Sequence, residues 1–498
     1  MPIRKVLIAN RGEIAIRVIR TCREMGISTV AVFSEADENA LHAKMADEAV
    51  PLGGSQPSES YLSLPKVLDS ARETGADAIH PGYGFLSERA ELSDACRDAG
   101  IAFIGPTGAA MRRLGDKISA KQLAVEGGVP IVPGFFEPGA SEDALFEAAE
   151  RVGYPVMLKA AAGGGGRGMR EVESPDQLRD ALRLASKEAQ NAFGDGAMMV
   201  EKLIRRPRHV EVQVLADLHG QVACLFEREC SIQRRHQKLI EEAPAPALTS
   251  GLVDWEAMRD SAHKIVSLAG YTNAGTVEFI VDPAAGSFYF LEVNARLQVE
   301  HPVTEAITAL DLVRWQIRIA EGDRLPEGLA GLGREQISGH AIEARVIAED
   351  PAAGFLPSIG KILGWAEPRS PGVRVDTGFG KGSEVSRFYD SLVAKVIAHG
   401  ASRSEAIQQL RAALEDFHVL GVKSNVDFLL SVLRHPEFEA GQIDTGFLAR
   451  NFEGWRPSEP DAVVGALSER AATARPAVAA TLRSSNPAWS AGDGFRNV

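Results

Sequence analysis

Over the first hundred or so residues, short β-branched runs alternate with amphipathic stretches, and this alternation restricts the fold more than any other feature. Residues 5–9 read as a buried strand. Residues 13–25 read as a helix with Ile14, Val18, Cys22 and Met25 on one face, and 28–33 as a second strand. Residues 64–74 and 87–99 follow as helices, 76–80 and 101–104 as strands. Strands separated by helices favour a doubly wound parallel α/β sheet. Such sheets gather ligands at the carboxyl ends of their strands. Those ends here are Asn10-Arg11-Gly12-Glu13, His80-Pro81-Gly82-Tyr83-Gly84 and Gly105-Pro106.

The pattern loosens at Gly127-Gly128-Val129-Pro130 and Pro133-Gly134. Beyond it, strands are expected at 154–160, 198–202 and 209–215, a helix at 175–191, and a hairpin of 276–282 with 287–294. From Gly339 the expectation is an antiparallel α+β unit, with strands at 341–348, 360–365, 373–376 and 392–399 and helices at 402–417 and 425–433. At roughly 150 residues per domain, 498 residues predict about three domains. A formal charge of −13 argues against a nucleic-acid coat. No apolar run reaches the roughly 18 residues of a membrane span. Four cysteines without C-x-x-C spacing predict buried thiols in a reducing, cytoplasmic setting.

Four segments carry chemistry. Lys159 leads into Gly163-Gly164-Gly165-Gly166-Arg167-Gly168, which strand-like residues follow on both sides. A dinucleotide fingerprint needs a helix there, and Walker A needs Gly-Lys-Ser/Thr, so both are excluded. What remains is a flap whose backbone amides approach phosphates, with Lys159 and Lys117 adding charge, or a glycine-rich surface hairpin. In the 276–294 hairpin, Glu278 falls opposite Glu292, with Asn294 and Arg296 on the same face as Glu292. Opposed buried carboxylates repel unless a cation lies between them, and the oxygen donors Glu278, Glu292 and Asn294 suit Mg²⁺ or Mn²⁺. The island from Arg228 to Lys238 is either an anion site or a surface patch, and His209 and Glu211 are either contacts or a core pair. In Arg296-Leu-Gln298-Val299-Glu300-His301-Pro302, a non-helical corner enters a helix at 304–319 with Thr304 as a possible N-cap. Glu300 is there either a general base or an ordinary loop carboxylate.

The runs Ile8-Ala-Asn-Arg-Gly-Glu-Ile-Ala, His80-Pro-Gly-Tyr-Gly-Phe-Leu-Ser-Glu88, Cys230-Ser-Ile-Gln-Arg-Arg-His-Gln-Lys238 and Glu292-Val-Asn-Ala-Arg-Leu-Gln-Val-Glu-His-Pro-Val-Thr304, with the glycine flap, resemble biotin carboxylase of the ATP-grasp superfamily from about residue 3 to 447. The resemblance implies an ATP-dependent carbon–nitrogen ligase that carboxylates biotin on a carrier through carboxyphosphate. It also implies an N-terminal α/β domain over 1–114 and an ATP-grasp domain over 115–334 with a lid near 131–204. A C-terminal α+β domain over 335–447 and a tail over 448–498 complete that division. By position, Lys117, Lys159, Gly165, Gly166, Glu201, Lys202, Leu203, Ile204, His209 and His236 resemble nucleotide contacts, and Glu278, Glu292 and Asn294 metal ligands. Lys238, Arg296, Gln298 and Val299 resemble the bicarbonate pocket, Glu300 its base, and Arg345 the arginine beside the biotin ureido oxygen. Ala295 and Ser424 depart from the commoner threonines without touching these groups. The implied partners are a biotin carrier and the carboxyltransferase of an acyl-CoA carboxylase, in a homodimer or larger assembly. The stretch Asn486-Pro-Ala-Trp-Ser-Ala-Gly-Asp-Gly-Phe-Arg resembles the start of the domain that links this module to its carrier in single-chain forms. It suggests a carrier on a separate polypeptide, docked with the tail's help. The rivals are an ATP-grasp ligase acting on another carboxylate and a silent nucleotide-binding partner.

Overall fold

The computed structural model describes residues 2–137, 139–161 and 168–457. Gly165, Gly166 and the tail from 458 onward, with its 486–496 stretch, therefore lie outside the described residues. In the N-terminal region, β1 (Lys5–Ile8), β2 (Ser28–Ser34), β3 (Glu48–Gly53), β4 (Ala78–His80) and β5 (Ala102–Phe103) form a parallel sheet in the order β3-β2-β1-β4-β5. The order reverses between β1 and β4, and the crevice there is shaped by Asn10, which donates to the carbonyls of Pro81 at 2.7 Å and Tyr83 at 2.8 Å. The sequence pattern does not disclose β3. It carries Pro51 and lies at the sheet edge, the position where a missing backbone donor is tolerated.

A second, small sheet is antiparallel: β6 (Gly134–Phe135), β7 (Val156–Ala160), β8 (Arg170–Val172) and β9 (Met198–Lys202), ordered β6-β9-β7-β8. Helices Glu142–Val152 and Pro175–Phe193 cover it, and Leu145, Val156, Leu158, Val172, Leu178 and Val200 give it a core of its own.

The largest sheet has eight strands: β10 (Arg208–Ala216), β11 (Val222–Arg234), β12 (Gln237–Ala243), β13 (Asn273–Asp282), β14 (Ser287–Asn294), β15 (His340–Ile347), β16 (Val373–Thr377) and β17 (Leu392–Gly400). Their order is β14-β13-β10-β11-β12-β15-β17-β16, antiparallel throughout. The three long strands beyond Gly339, β15, β17 and β16, thus join this sheet rather than forming one of their own, because β15 pairs directly with β12. Three local expectations are corrected. The stretch 304–319 is two helices, His301–Thr308 and Leu312–Glu321, parted by Ala309 at φ +55°. Asp311 caps the second by accepting from the Arg314 amide, while Thr304 lies inside the first. The stretch 360–365 splits into Gly360–Lys361 and Gly364–Ala366, which pair with different partners, Glu384–Val385 and His418–Leu420.

The N-terminal region meets the C-terminal one at a backbone contact. A Cβ on Gly378 would lie 2.6 Å from both Cα and C of Gly12 and 2.7 Å from the Glu13 nitrogen. Backbone atoms cannot swing aside, so Gly378→Ala is expected to lower stability by about 1–3 kcal/mol. A denaturant midpoint equal to that of the wild type would contradict this.

Candidate active site

The face of the eight-stranded sheet and the small antiparallel sheet converge on a cavity of about 650 Å³, while the crevice of the parallel sheet opens on a neighbouring one. Every described residue to which the resemblance gives a role lines the first cavity except Glu300: Lys117, Lys159, Glu201, Lys202, Leu203, Ile204, His209, His236, Lys238, Glu278, Glu292, Asn294, Arg296, Gln298, Val299 and Arg345. They come from well-separated stretches of the sequence, so only the folded chain brings them together.

The hairpin of β13 and β14 sets Glu278 directly opposite Glu292. Glu278 is crowded with donors. Its Oε1 accepts from Lys238 Nζ at 2.9 Å and Asn294 Nδ2 at 2.8 Å, and its Oε2 lies 3.0 Å from His209 Nε2. Burial alone would raise its pKa, but Lys238 and His209 outweigh that and hold the carboxyl well below the usual carboxylate range. Glu292 moves the other way, pushed up by burial and by the charge of Glu278, with Lys117 at 3.9 Å offsetting part of it. Buried Glu278 and partly exposed Glu292, facing each other beside an amide, form an oxygen donor set that fits a hard divalent cation. Asn294 turns its oxygen to Arg296 Nη2 at 3.0 Å, so its amide must rotate before that oxygen could join the set.

Charge of the opposite sign faces this pair. Lys159 on β7 and Lys121 both bind Glu201, Lys159 at 2.5 Å. Burial first, then repulsion by Lys117, lowers the Lys159 ammonium to about 8. An anion placed among these lysines would relieve that repulsion. Sequence reasoning misses Lys121, although it stands one helical turn beyond Lys117 in the helix Lys117–Glu126. Between β11 and β12 the chain turns on Arg235 and His236, at φ +51° and +66°. Left-handed backbone is costly for side-chain-bearing residues, and here it brings both side chains to the cavity wall. Burial and the neighbouring Lys159 depress the His236 imidazole. His209 is raised, because Glu278 overcomes the opposing effect of burial.

At the other end Arg296 is held on three sides, by Glu88 at 3.1 Å, Gln298 Oε1 at 3.0 Å and Asn294. Glu88 ends one of the family-like motifs, but nothing in the sequence gives it this role. Glu300 is fully buried behind the cavity wall. Its Oε1 accepts from Lys238 at 2.7 Å and its Oε2 from Arg345 Nη2 at 2.9 Å. Against the effect of burial, Lys238, Arg345 and Arg228 hold it well below its ordinary value. The basic island divides. Arg228 is wholly buried on Glu211 at 2.6 Å, Arg234 pairs with Glu349 at 2.7 Å, and Lys238 reaches the cavity. Glu211 is a linking group, bound at once by Arg228 and by Lys238 at 2.6 Å. A second cavity of about 520 Å³ adjoins the first through Gln237, Arg296, Val299, Arg345 and Asp390, and carries Tyr83, Phe85, Phe379, Phe388 and Tyr389 on its walls.

Three family models match along the chain: "Biotin carboxylase, N-terminal domain" over residues 2–111, "Carbamoyl-phosphate synthase L chain, ATP binding domain" over 116–328 and "Biotin carboxylase C-terminal domain" over 343–450. A pyruvate carboxylase subunit of Methanothermobacter thermautotrophicus is 49% identical, with 89% of each chain covered. The alpha subunit of mouse methylcrotonoyl-CoA carboxylase is 48% identical over 92% of this chain, which spans 63% of that longer protein. The biotin carboxylase domain dimer of Hydrogenobacter thermophilus 2-oxoglutarate carboxylase, solved with MgADP, ADP and bicarbonate, superposes with a TM-score of 0.86 at 44% identity, covering 92% of this chain and all of that one. Matching models along almost the whole described chain, and relatives near half identity, place this protein in the biotin carboxylase family.

Proposed function

We propose that the chain uses ATP and bicarbonate to carboxylate biotin borne on a carrier, the first half-reaction of a biotin-dependent carboxylase. One observation carries this reading. A single cavity joins lysines and opposed carboxylates suited to a metal-bound triphosphate to Arg296, Lys238 and Arg345, suited to a small oxyanion, with Glu300 bound to the last two behind the wall. The nucleotide and bicarbonate named for the Hydrogenobacter structure have the same chemistry.

Bicarbonate is a weak nucleophile, so it must be held and stripped of its proton beside the γ-phosphate. Arg296, Lys238, Gln298 and Val299 cradle it, and Glu300 is the base. In the structure Glu300 is a poor base because two cations claim it. An arriving anion shares those cations, which raises the proton affinity of Glu300 at the moment it is needed. Lys159 and Lys117 hold the phosphates in line, and Glu201 keeps Lys159 in place. A divalent ion, Mg²⁺ or Mn²⁺, held by Glu278, Glu292 and Asn294 would offset charge on the transferring phosphoryl group. Carboxyphosphate is destroyed by water. We assign to the small antiparallel sheet, which bears Lys159 on the far wall, a lid movement that excludes it. Biotin enters through the aromatic-lined second cavity, and Arg345, shared by both cavities, stabilises its enolate oxygen.

We assign partners of the same family logic: a biotin carrier and a carboxyltransferase, with the chain itself paired in a dimer as in the Hydrogenobacter structure. For the acceptor we infer an acyl-CoA thioester, supported by the methylcrotonoyl-CoA carboxylases it matches. The four described thiols, all free and buried, support a reducing, cytoplasmic setting. No helix among the described residues is long and apolar enough to cross a membrane.

Glu300→Gln and Arg296→Ala are each expected to lower bicarbonate-dependent turnover of biotin by roughly a hundredfold or more. Near-wild-type rates in both would defeat the mechanism. Stripping divalent cations should abolish bicarbonate-dependent ATP cleavage, with recovery on adding Mg²⁺. Cleavage that survives chelation would remove the Glu278–Glu292 site from the reaction. Assay of the co-purified transferase should show carboxylation of an acyl-CoA, and carboxylation of pyruvate instead would overturn that assignment.

A further inference from the structure

Behind the site, the sheet face that carries Arg345 also carries two acids with no part in the steps above. Glu241 on β12 and Glu343 on β15 are direct partners across the antiparallel ladder, which places their Cβ atoms about 4.5–5.5 Å apart on one face. Both are fully buried. Arg345 satisfies only one of the four oxygens: its Nε and Nη2 both donate to Glu241 Oε1, at 2.6 and 2.5 Å. Glu241 Oε2 and both oxygens of Glu343 have no hydrogen-bond partner.

The charged groups facing Glu343 are Arg345 on its own strand, Glu241 on β12, Lys395 on β17 and Glu300 at the head of the helix His301–Thr308. Lys395 is engaged elsewhere, donating to the Val299 carbonyl at 2.8 Å and lying 3.3 Å from Glu13. His301 on the same helix turns Nδ1 to the Gln298 carbonyl at 2.8 Å, and burial together with Lys395 holds it well below its ordinary pKa, hence uncharged. Lys395 and Arg345 favour a charged Glu343, but neither donates a hydrogen bond to it among the described residues, and burial with the facing Glu241 outweighs them. Burial accordingly raises Glu241 to about 7 and holds Glu343 well above the usual range.

We propose that Glu343 is a positioning residue: kept as the neutral acid, it donates its proton in a hydrogen bond to Glu241 Oε2, and the pair so joined fixes Arg345 with Nη2 turned to Glu300 and the second cavity. This rests on the role given to Arg345 above. If the proton leaves to solvent, two anions face each other across the ladder. Both then draw on Arg345, whose charge is withdrawn from Glu300 and from the enolate oxygen it serves.

The test compares the wild type with Glu343→Gln, whose amide keeps a donor that cannot ionise, and Glu343→Ala, which removes it. Two quantities are read from about pH 5 to about pH 9: turnover of free biotin and thermal midpoint. Glu343→Ala should lose roughly 10- to 100-fold in kcat for biotin with KM for ATP unchanged, while Glu343→Gln keeps most of the rate at neutral pH and shows a weaker alkaline decline. The sign for stability follows from the raised folded-state pKa. The stabilisation is complete below the unfolded carboxylate value and is lost as pH climbs towards the folded one, so the wild-type midpoint should fall over that interval more steeply than that of Glu343→Gln. Parallel midpoint curves, or full turnover in Glu343→Ala, would overturn the proposal. A wild type with no bicarbonate-dependent ATP cleavage would instead refute the function proposed above, and the midpoint curves would still decide whether the proton is shared.

Discussion

Arg228 has no exposure to solvent, and the fold is arranged so that its charge is never alone. The guanidinium spends its protons on Glu211, Gln213, Thr276 and Thr304, which belong to β10, β13 and the helix that follows Glu300. Glu211 passes the compensation on to Lys238, Lys238 to Glu278 and Glu300, and Glu300 to Arg345. Removing one member of such a chain strands a buried charge, which costs about 3–5 kcal/mol when a partner is lost. The charged cluster at the cavity is therefore not attached to a finished core. It is part of what makes the core electrically tolerable, and it fixes the spacing of five strands and one helix at once.

The legibility of the sequence divides along physical lines. The parallel sheet could be read because β1, β2 and β4 are apolar runs flanked by amphipathic helices with regular period. The opposition of Glu278 and Glu292 could be read because a short hairpin sets its own register. What could not be read is β11, a thirteen-residue strand buried almost throughout although it carries Glu227, Arg228 and Glu229. Burial on both faces erases the alternation that marks a strand, and its charges look like surface until their partners on β10 and in the 334 region are known. The single helix expected over 304–319 failed for a local reason, since Ala309 adopts a left-handed backbone no pattern of apolar residues reveals.

Site residues were legible where chemistry dictates residue type and illegible where position matters more than type. Lysines next to a glycine run, or acids facing in a ladder, announce an anion or a cation. Glu88 announces nothing, and Glu201 stands out only through the resemblance, because a carboxylate that merely holds an arginine or a lysine still is indistinguishable in sequence from one that faces water. The same holds for Glu300, whose motif is conspicuous but whose enclosure behind Lys238 and Arg345 appears only in three dimensions.

The unbroken ladder from β14 to β16 carries a consequence for how such a molecule can yield under load. A continuous network of interstrand bonds resists shear, so the opposed Glu278 and Glu292 at one end and the strand bearing Arg345 further along it keep a nearly constant separation. The small four-stranded sheet, which has an independent core and holds Lys159, stands outside that network. A stiff reference surface opposed by a wall with its own core is the mechanical arrangement of a vice, and the closing that the proposed reaction requires would fall to that one jaw.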